Sequence, residues 1–234
     1  MKKIRGARRA FQQLVSENFS DVVVETDGDQ SLLKYEVDGE FDYELYKETQ
    51  TLGNKMKLGN QWAPEDHIRI LSEYMGQTGN TPKRGICHGT RQGNEQVWFR
   101  RHIPGDADVI GTEISDTATE FPHTIQWDFH DQNDAWIGQM DFVYSNSWDH
   151  AFDPKKALKN WAECLTPGGV LLLDHGWNYE VDRVTALDPF GISEKGLVDM
   201  LNEECAQYGK VEGVIDGGKH KNLPIRTVIF RAHA

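Results

Sequence analysis

The chain has 234 residues, 38% of them hydrophobic, with 25 basic against 37 acidic side chains and a net charge of −12. That length sustains one sizeable core, or one core with a small appendage, and the acidity disfavours phosphate backbones and anionic lipid as partners. Cys87, Cys164 and Cys205 are widely spaced and form no CxxC pair, so neither a disulfide framework nor a zinc knuckle is indicated, and a reduced, cytoplasmic setting is expected.

Residues 1–80 read as an appendage. Met1–Phe19 patterns as a basic, weakly amphipathic helix; its cationic start is followed by no apolar run, so it is not read as a targeting segment. Asp21–Glu25 and Ser31–Val37 are expected to form strands around the turn signal Asp27-Gly28-Asp29. Phe41–Lys57 is polar and gives no clear pattern. Pro64-Glu65-Asp66 opens a helix whose apolar face carries Ile68, Ile70, Leu71 and Tyr74, ending near Gly76–Gly79. No stretch of about 18 apolar residues occurs, so nothing reads as a membrane span.

From residue 81 strands and helices alternate. Strands are expected at Gly85–His88, Asp108–Glu113, Thr124–Asp128, Asp141–Ser145 and Gly169–Asp174. Helices are expected at Glu95–Arg101, Asp131–Ile137 and Pro154–Cys164, with a short turn at Asp116–Glu120. A helix at Ser193–Tyr208 then precedes two runs, Val211–Ile215 and Ile225–Arg231, joined by a glycine-rich loop. The alternation predicts an α/β fold: a doubly wound, Rossmann-like parallel sheet covered on both faces, closed at one edge by an antiparallel hairpin.

In such a sheet ligands bind beyond the carboxyl ends of the strands, where the strand order switches. The first end carries His88-Gly89-Thr90-Arg91-Gln92-Gly93, a tight loop leading into a helix. Glu113 closes the second strand, 20 residues beyond Gly93, at the spacing where a carboxylate meets the ribose of an adenosine-type cofactor. Asp128, Phe129 and His130 follow the third, Ser145-Asn146-Ser147-Trp148-Asp149-His150 the fourth, and Asp174-His175 the fifth.

With GTRQG, Glu113, WDF, DFVYSNSWDHAFD and LTPGGVLLLD in this order, the chain resembles the class I S-adenosylmethionine-dependent methyltransferases over roughly residues 83–234. The resemblance implies a seven-stranded sheet, S-adenosyl-L-methionine as cofactor and methyl transfer to a small-molecule acceptor, at oxygen or nitrogen rather than carbon. It places His88, Gly89, Thr90, Arg91, Gly93, Glu113, Asp128, Phe129, Ser145 and Asn146 at the cofactor. Glu113 would take the ribose hydroxyls and Asp128 the adenine amine, with Phe129 or Trp127 beside the ring. Two departures stand out: Cys87 occupies the position of a usual acid two residues before the first loop glycine, and Arg91 replaces the middle glycine.

His150 is the first candidate for taking a proton from the acceptor, because an imidazole titrates near neutrality; Asp149 would orient it or bind the acceptor. A magnesium set of Asp149, Asp174 and His175 lacks the usual acidic spacing, so no metal ligands are assigned. Residues 1–80 are expected to form a lid over the cofactor or a contact with a second copy of the chain. Two alternatives stay open: a nicotinamide-dependent oxidoreductase, and a non-catalytic scaffold on the same fold.

Overall fold

The computed structural model describes residues 2–20, 23–77 and 81–234. Its N-terminal part runs α1 (Lys2–Asn18), β1 (Val24–Asp27), β2 (Gln30–Leu33), β3 (Glu36–Val37), β4 (Glu40–Phe41), α2 (Tyr43–Lys57) and α3 (Glu65–Gln77). The expected first strand thus begins later, at Val24, with Asp21 and Val22 outside the described residues. The second strand stops at Leu33, and Glu36–Val37 turns back to pair with β4 instead.

The unpatterned stretch before residue 58 is the 15-residue helix α2. Its start was legible: Asp42 is the N-cap, its side chain accepting from Leu45 N at 2.9 Å, which satisfies one of the donors a helix start leaves free. Leu45 and Tyr46 pack with Leu14, Leu33 and Tyr35 in a small core of their own.

The main sheet is built from β5 (Arg84–His88), β6 (Asp108–Glu113), β7 (Thr124–Gln126), β8 (Met140–Ser145), β9 (Leu165–His175), β11 (Gly209–His220) and β12 (Leu223–Ala232), with α4 (Asn94–His102), α5 (Pro154–Glu163) and α6 (Glu194–Glu204) as its helices. Its order is β11-β12-β9-β8-β5-β6-β7. The pairs β5–β6, β5–β8, β6–β7 and β8–β9 are parallel, while β12 runs antiparallel to both β9 and β11. The seven-stranded sheet with its terminal hairpin agrees with the sequence reading. The order switches between β5 and β8, so Gly89 and Ser147 meet at the crevice. Apolar cores cover both faces, one around Trp148, Trp161 and Phe230, the other around Ile68, Phe99 and Phe142.

Three differences from the expected elements have local causes. Asp131–Ile137 forms turns, not a helix: the Asn133 side chain accepts from Ala135 N at 3.0 Å, and Gly138 (φ 62°) follows at once. Gly217 and Gly218 lie inside β11 rather than in a loop, because Gly218 (φ 85°) absorbs a register irregularity and the chain reverses only after His220. The short β10 (Phe190–Ile192) was not among the expected elements; it pairs with β2 and so joins the N-terminal strands to a segment beyond residue 187. No helix among the described residues is long and apolar enough to cross a membrane.

Candidate active site

The first strand end is shaped by glycine. Gly89 has φ 73°, and a Cβ there would lie 2.6 Å from the Ser147 Cβ, so only glycine lets the β5 and β8 loops come this close. Arg91, at the position of the missing middle glycine, also has a left-handed backbone, φ 36°. Its guanidinium turns back toward the N-terminal region and donates to the Asn60 carbonyl at 3.0 Å.

The strand ends open into a cleft with two halves. The narrow half, about 40 Å³, is bounded by Gly89, Glu113, Asp128 and Phe129 below and by Tyr46, Gln50 and Asn54 of α2 above. The wide half, about 510 Å³, lies between Arg91, Glu95, Asn146 and Asp149 on one side and Lys57, Trp62, Asp188 and His220 on the other. His150 borders both.

Glu113 is buried, and its Oε1 accepts from Ser115 N at 2.9 Å. Burial pushes its carboxyl up, an effect that the Ser115 hydrogen bond, the Arg91 charge and Asn54 only partly offset. Asp128 is fully engaged: Oδ1 accepts from His130 N at 2.9 Å and pairs with His130 Nδ1 at 2.7 Å, while Oδ2 accepts from the Tyr43 hydroxyl at 2.9 Å. Burial opposes its charge, but the His130 contacts prevail and hold its pKa below the ordinary carboxylate value.

The wide half carries unmet polarity. Of eight buried side-chain polar atoms lacking a hydrogen-bond partner among the described residues, four belong to residues lining it: Trp62 Nε1, Arg91 Nε, Glu95 Oε2 and Asp149 Oδ1. Buried polar groups are normally paired, so these atoms are open to a ligand or to water. Burial raises the Glu95 pKa to about 7, and its Oε1 accepts from Gln61 Nε2 at 2.8 Å. Burial likewise pushes Asp149 well above its usual range and His150 down to about 4.

Of the residues expected at the cofactor, Gly89, Arg91, Glu113, Asp128, Phe129 and Asn146 line the cleft. His88, Thr90, Gly93 and Ser145 do not. His88 lies beneath the loop, stacked on Trp161 with ring centroids 4.6 Å apart, and burial lowers its pKa to about 3. Ser145 Oγ donates to the His88 carbonyl at 3.2 Å and accepts from Ser147 N at 3.0 Å, so it holds the loop in shape. Gly93 caps α4 with φ 71°. Asp149 and His150 line the cleft as expected, but the group beside His150 is Asp188, whose Oδ1 is 3.3 Å from Nε2.

Asp174 is not in the cleft. It is buried below, accepting from the Tyr144 hydroxyl at 2.6 Å and the Thr227 hydroxyl at 3.0 Å and paired with His67 Nε2 at 2.8 Å. His175 Nε2 faces the Ile192 carbonyl at 2.9 Å. The magnesium set weighed from sequence is therefore not assembled. Gln50, Asn54 and Asp188 were not anticipated. The Asp42 cap could have exposed the first two as helical; Asp188, in an irregular segment, carried no signal.

No family model matches the chain, and no curated protein does. Solved structures do. A 1,6-didemethyltoxoflavin-N1-methyltransferase from Burkholderia thailandensis, with S-adenosylhomocysteine bound, aligns at TM-score 0.60 and 13% identity over 90% of this chain and 99% of its own. The N-methyltransferase NodS from Bradyrhizobium japonicum WM9, also with S-adenosylhomocysteine, aligns at TM-score 0.57 and 12% identity over 78% and 98%. The [4+2]-cyclase SpnF aligns at TM-score 0.54 and 13% identity over 71% and 81%. What is shared at these identities is the architecture: the chain has the fold of the class I S-adenosylmethionine-dependent methyltransferases.

Proposed function

We propose that the protein transfers a methyl group from S-adenosylmethionine to a small-molecule acceptor, at oxygen or nitrogen. The observation that carries this reading is the pairing of a buried strand-end carboxylate, Glu113, with a neighbouring wall of unsatisfied donors and acceptors around the Gly89 loop. Glu113 suits the two ribose hydroxyls. The donors Trp62 Nε1 and Arg91 Nε suit a carboxylate, and the acceptor Glu95 Oε2 suits an ammonium, so together they fit the zwitterionic end of an amino-acid-derived cofactor. Bound there, the cofactor supplies an electrophilic methyl on a sulfonium.

The chain's own task is then alignment and exclusion of water. Asp149 and His150 border the wide half, where an acceptor fits. The His150 ring donates from Nδ1 to Gln50 Oε1 at 2.7 Å, which leaves the Nε2 lone pair to receive a proton from a hydroxyl or ammonium acceptor. Asp188, 3.3 Å away, would stabilise the resulting imidazolium. A pyrophosphate-bearing cofactor fits less well, because the first turn of α4 presents buried Glu95 where a phosphate would need bare N–H groups.

Thermal shift tests the reading. S-adenosylhomocysteine at about one hundred times its Kd should stabilise the chain by about 2.7 kcal/mol, and NADH should not. Glu113→Ala should weaken S-adenosylhomocysteine at least about tenfold, about 1.4 kcal/mol. Stabilisation by NADH alone would assign the cleft to a nicotinamide cofactor; no response to either would leave a scaffold.

A further inference from the structure

We propose that Asp149, His150 and Asp188 bind a divalent first-row transition-metal cation at the acceptor end of the cleft. One ligand atom from each lies within 4.8 Å of those of the other two. The tautomer of His150 follows from its neighbours. Gln50 Nε2 donates to the Tyr35 hydroxyl at 3.1 Å and to the Leu187 carbonyl at 3.0 Å, which orients the amide and leaves its Oε1 facing His150 Nδ1 at 2.7 Å. Nδ1 therefore carries the hydrogen, and in the neutral ring the Nε2 lone pair faces Asp188 Oδ1, 3.3 Å away. A lone pair and a carboxylate oxygen repel unless positive charge lies between them.

Asp149 adds a third acceptor. Its side chain is almost wholly buried, at 6% residue exposure, and Oδ1 has no partner. The nearest cation, Lys57 Nζ, is 3.8 Å from Asp188 Oδ1, beyond hydrogen-bond reach. Three converging acceptors without a donor call for a cation.

The His150–Asp188 separation suits a metal ion. Ligand atoms about 2.1 Å from a tetrahedral metal lie roughly 3.4 Å apart, close to the separation of Nε2 and Oδ1. Two acceptors sharing one ammonium at about 2.9 Å would stand roughly 4.7 Å apart. One imidazole with two carboxylates suits zinc or manganese. Both outer ligands are already braced, as metal ligands usually are: Gln50 holds the far nitrogen of His150, and the Thr185 hydroxyl donates to Asp188 Oδ2 at 3.1 Å.

The remaining coordination positions face the wide half, open to water or to an acceptor oxygen. In the cation-loaded protein the ion faces the acceptor, and Nε2 takes up a proton only in the cation-free form. Cation binding requires no cofactor, so it stands apart from the methyl-transfer reading.

The test is a Mn2+ titration of the whole chain followed by the electron-paramagnetic-resonance signal of the free ion, which is lost on binding. One Mn2+ per chain is expected, displaced by Zn2+. Asp188→Asn and Asp149→Asn should each weaken binding at least about tenfold, whereas Asp182→Asn, an exposed acid outside the cleft, should leave it unchanged. Thermal melts establish that each variant folds, and Asp188→Asn, on a partly exposed side chain, is the variant least able to perturb the core. Equal binding by wild type and Asp188→Asn would assign the ion to general surface acidity and overturn the proposal, as would no bound Mn2+ at millimolar concentration. S-adenosylhomocysteine binding, measured separately without metal, keeps failure here distinct from failure of the methyl-transfer reading.

Discussion

Asp174→Asn tests the support beneath the cleft. Asp174 and His67 are both fully buried as side chains and joined at 2.8 Å, with Tyr144 and Thr227 completing the carboxylate's hydrogen bonds. His67 Nδ1 donates to the Gly217 carbonyl at 2.8 Å, so a second hydrogen on Nε2 makes the ring an imidazolium. Burial opposes that charge, but Asp174 prevails, and the His67 pKa lies above 6.5. Removing one partner of a buried pair costs about 3–5 kcal/mol. Asparagine also turns one acceptor into a donor facing the Tyr144 hydroxyl or the His67 N–H. The backbone carbonyl that accepts from Trp148 Nε1 is unchanged, so the turn carrying Asp149 should keep its shape.

The pH dependence carries a sign. A folded-state pKa raised above the unfolded value gives stability that is fully present below about pH 6.5 and is lost as pH rises through the folded pKa. Urea unfolding of wild type and variant from about pH 6 to about pH 9 should show a difference of about 3–5 kcal/mol at the acid end, narrowing as His67 deprotonates. A difference below about 1 kcal/mol, or one widening with pH, would refute the ion pair.

Two other perturbations probe the cleft. Gly53 lets α2 lie against the segment before β10, since a Cβ there would sit 2.1 Å from Leu187 Cδ1. Gly53→Ala should cost about 1–3 kcal/mol by overpacking, and a double-mutant cycle with Leu187→Ala should recover at least about 1 kcal/mol of it; strictly additive unfolding energies would contradict the contact. Tyr43→Phe removes the hydrogen bond that occupies Asp128 Oδ2. At this exposed position it should lower stability by at most about 1 kcal/mol while strengthening S-adenosylhomocysteine binding severalfold, by calorimetry, because the ligand no longer competes with Tyr43 for Asp128. Weaker binding would show that Tyr43 belongs to the binding surface.

The sheet was legible because most of its strands announce themselves twice, as apolar runs and, at β5, β6 and β9, as runs ending in acid or histidine. Glu113 and Asp128 line the cleft for the same reason: a strand end fixes where a side chain goes. His88 was misjudged because one residue decides the side of the sheet, and a histidine inside the last strand position packs on Trp161 instead of facing the crevice. Asp188 and Gln50 were hidden for another reason. Their meeting at His150 depends on how α2 and the segment before β10 pack, through Gly53 against Leu187, a contact between residues 134 positions apart that no local pattern encodes. The glycine-rich end was misplaced because Gly218 accommodates a bulge as readily as a turn.

Methyl transfer as proposed requires the narrow half of the cleft to hold an adenosine. With about 40 Å³ now between α2 and Glu113, binding requires Tyr46 and Asn54 to draw back from the strand ends and Tyr43 to leave Asp128. A crystal structure grown with S-adenosylhomocysteine measures this directly. The ribose is expected on Glu113, the adenine beside Phe129 and α2 displaced outward; ligand density confined to the wide half, with the Tyr43–Asp128 bond intact, would contradict the proposed cofactor site.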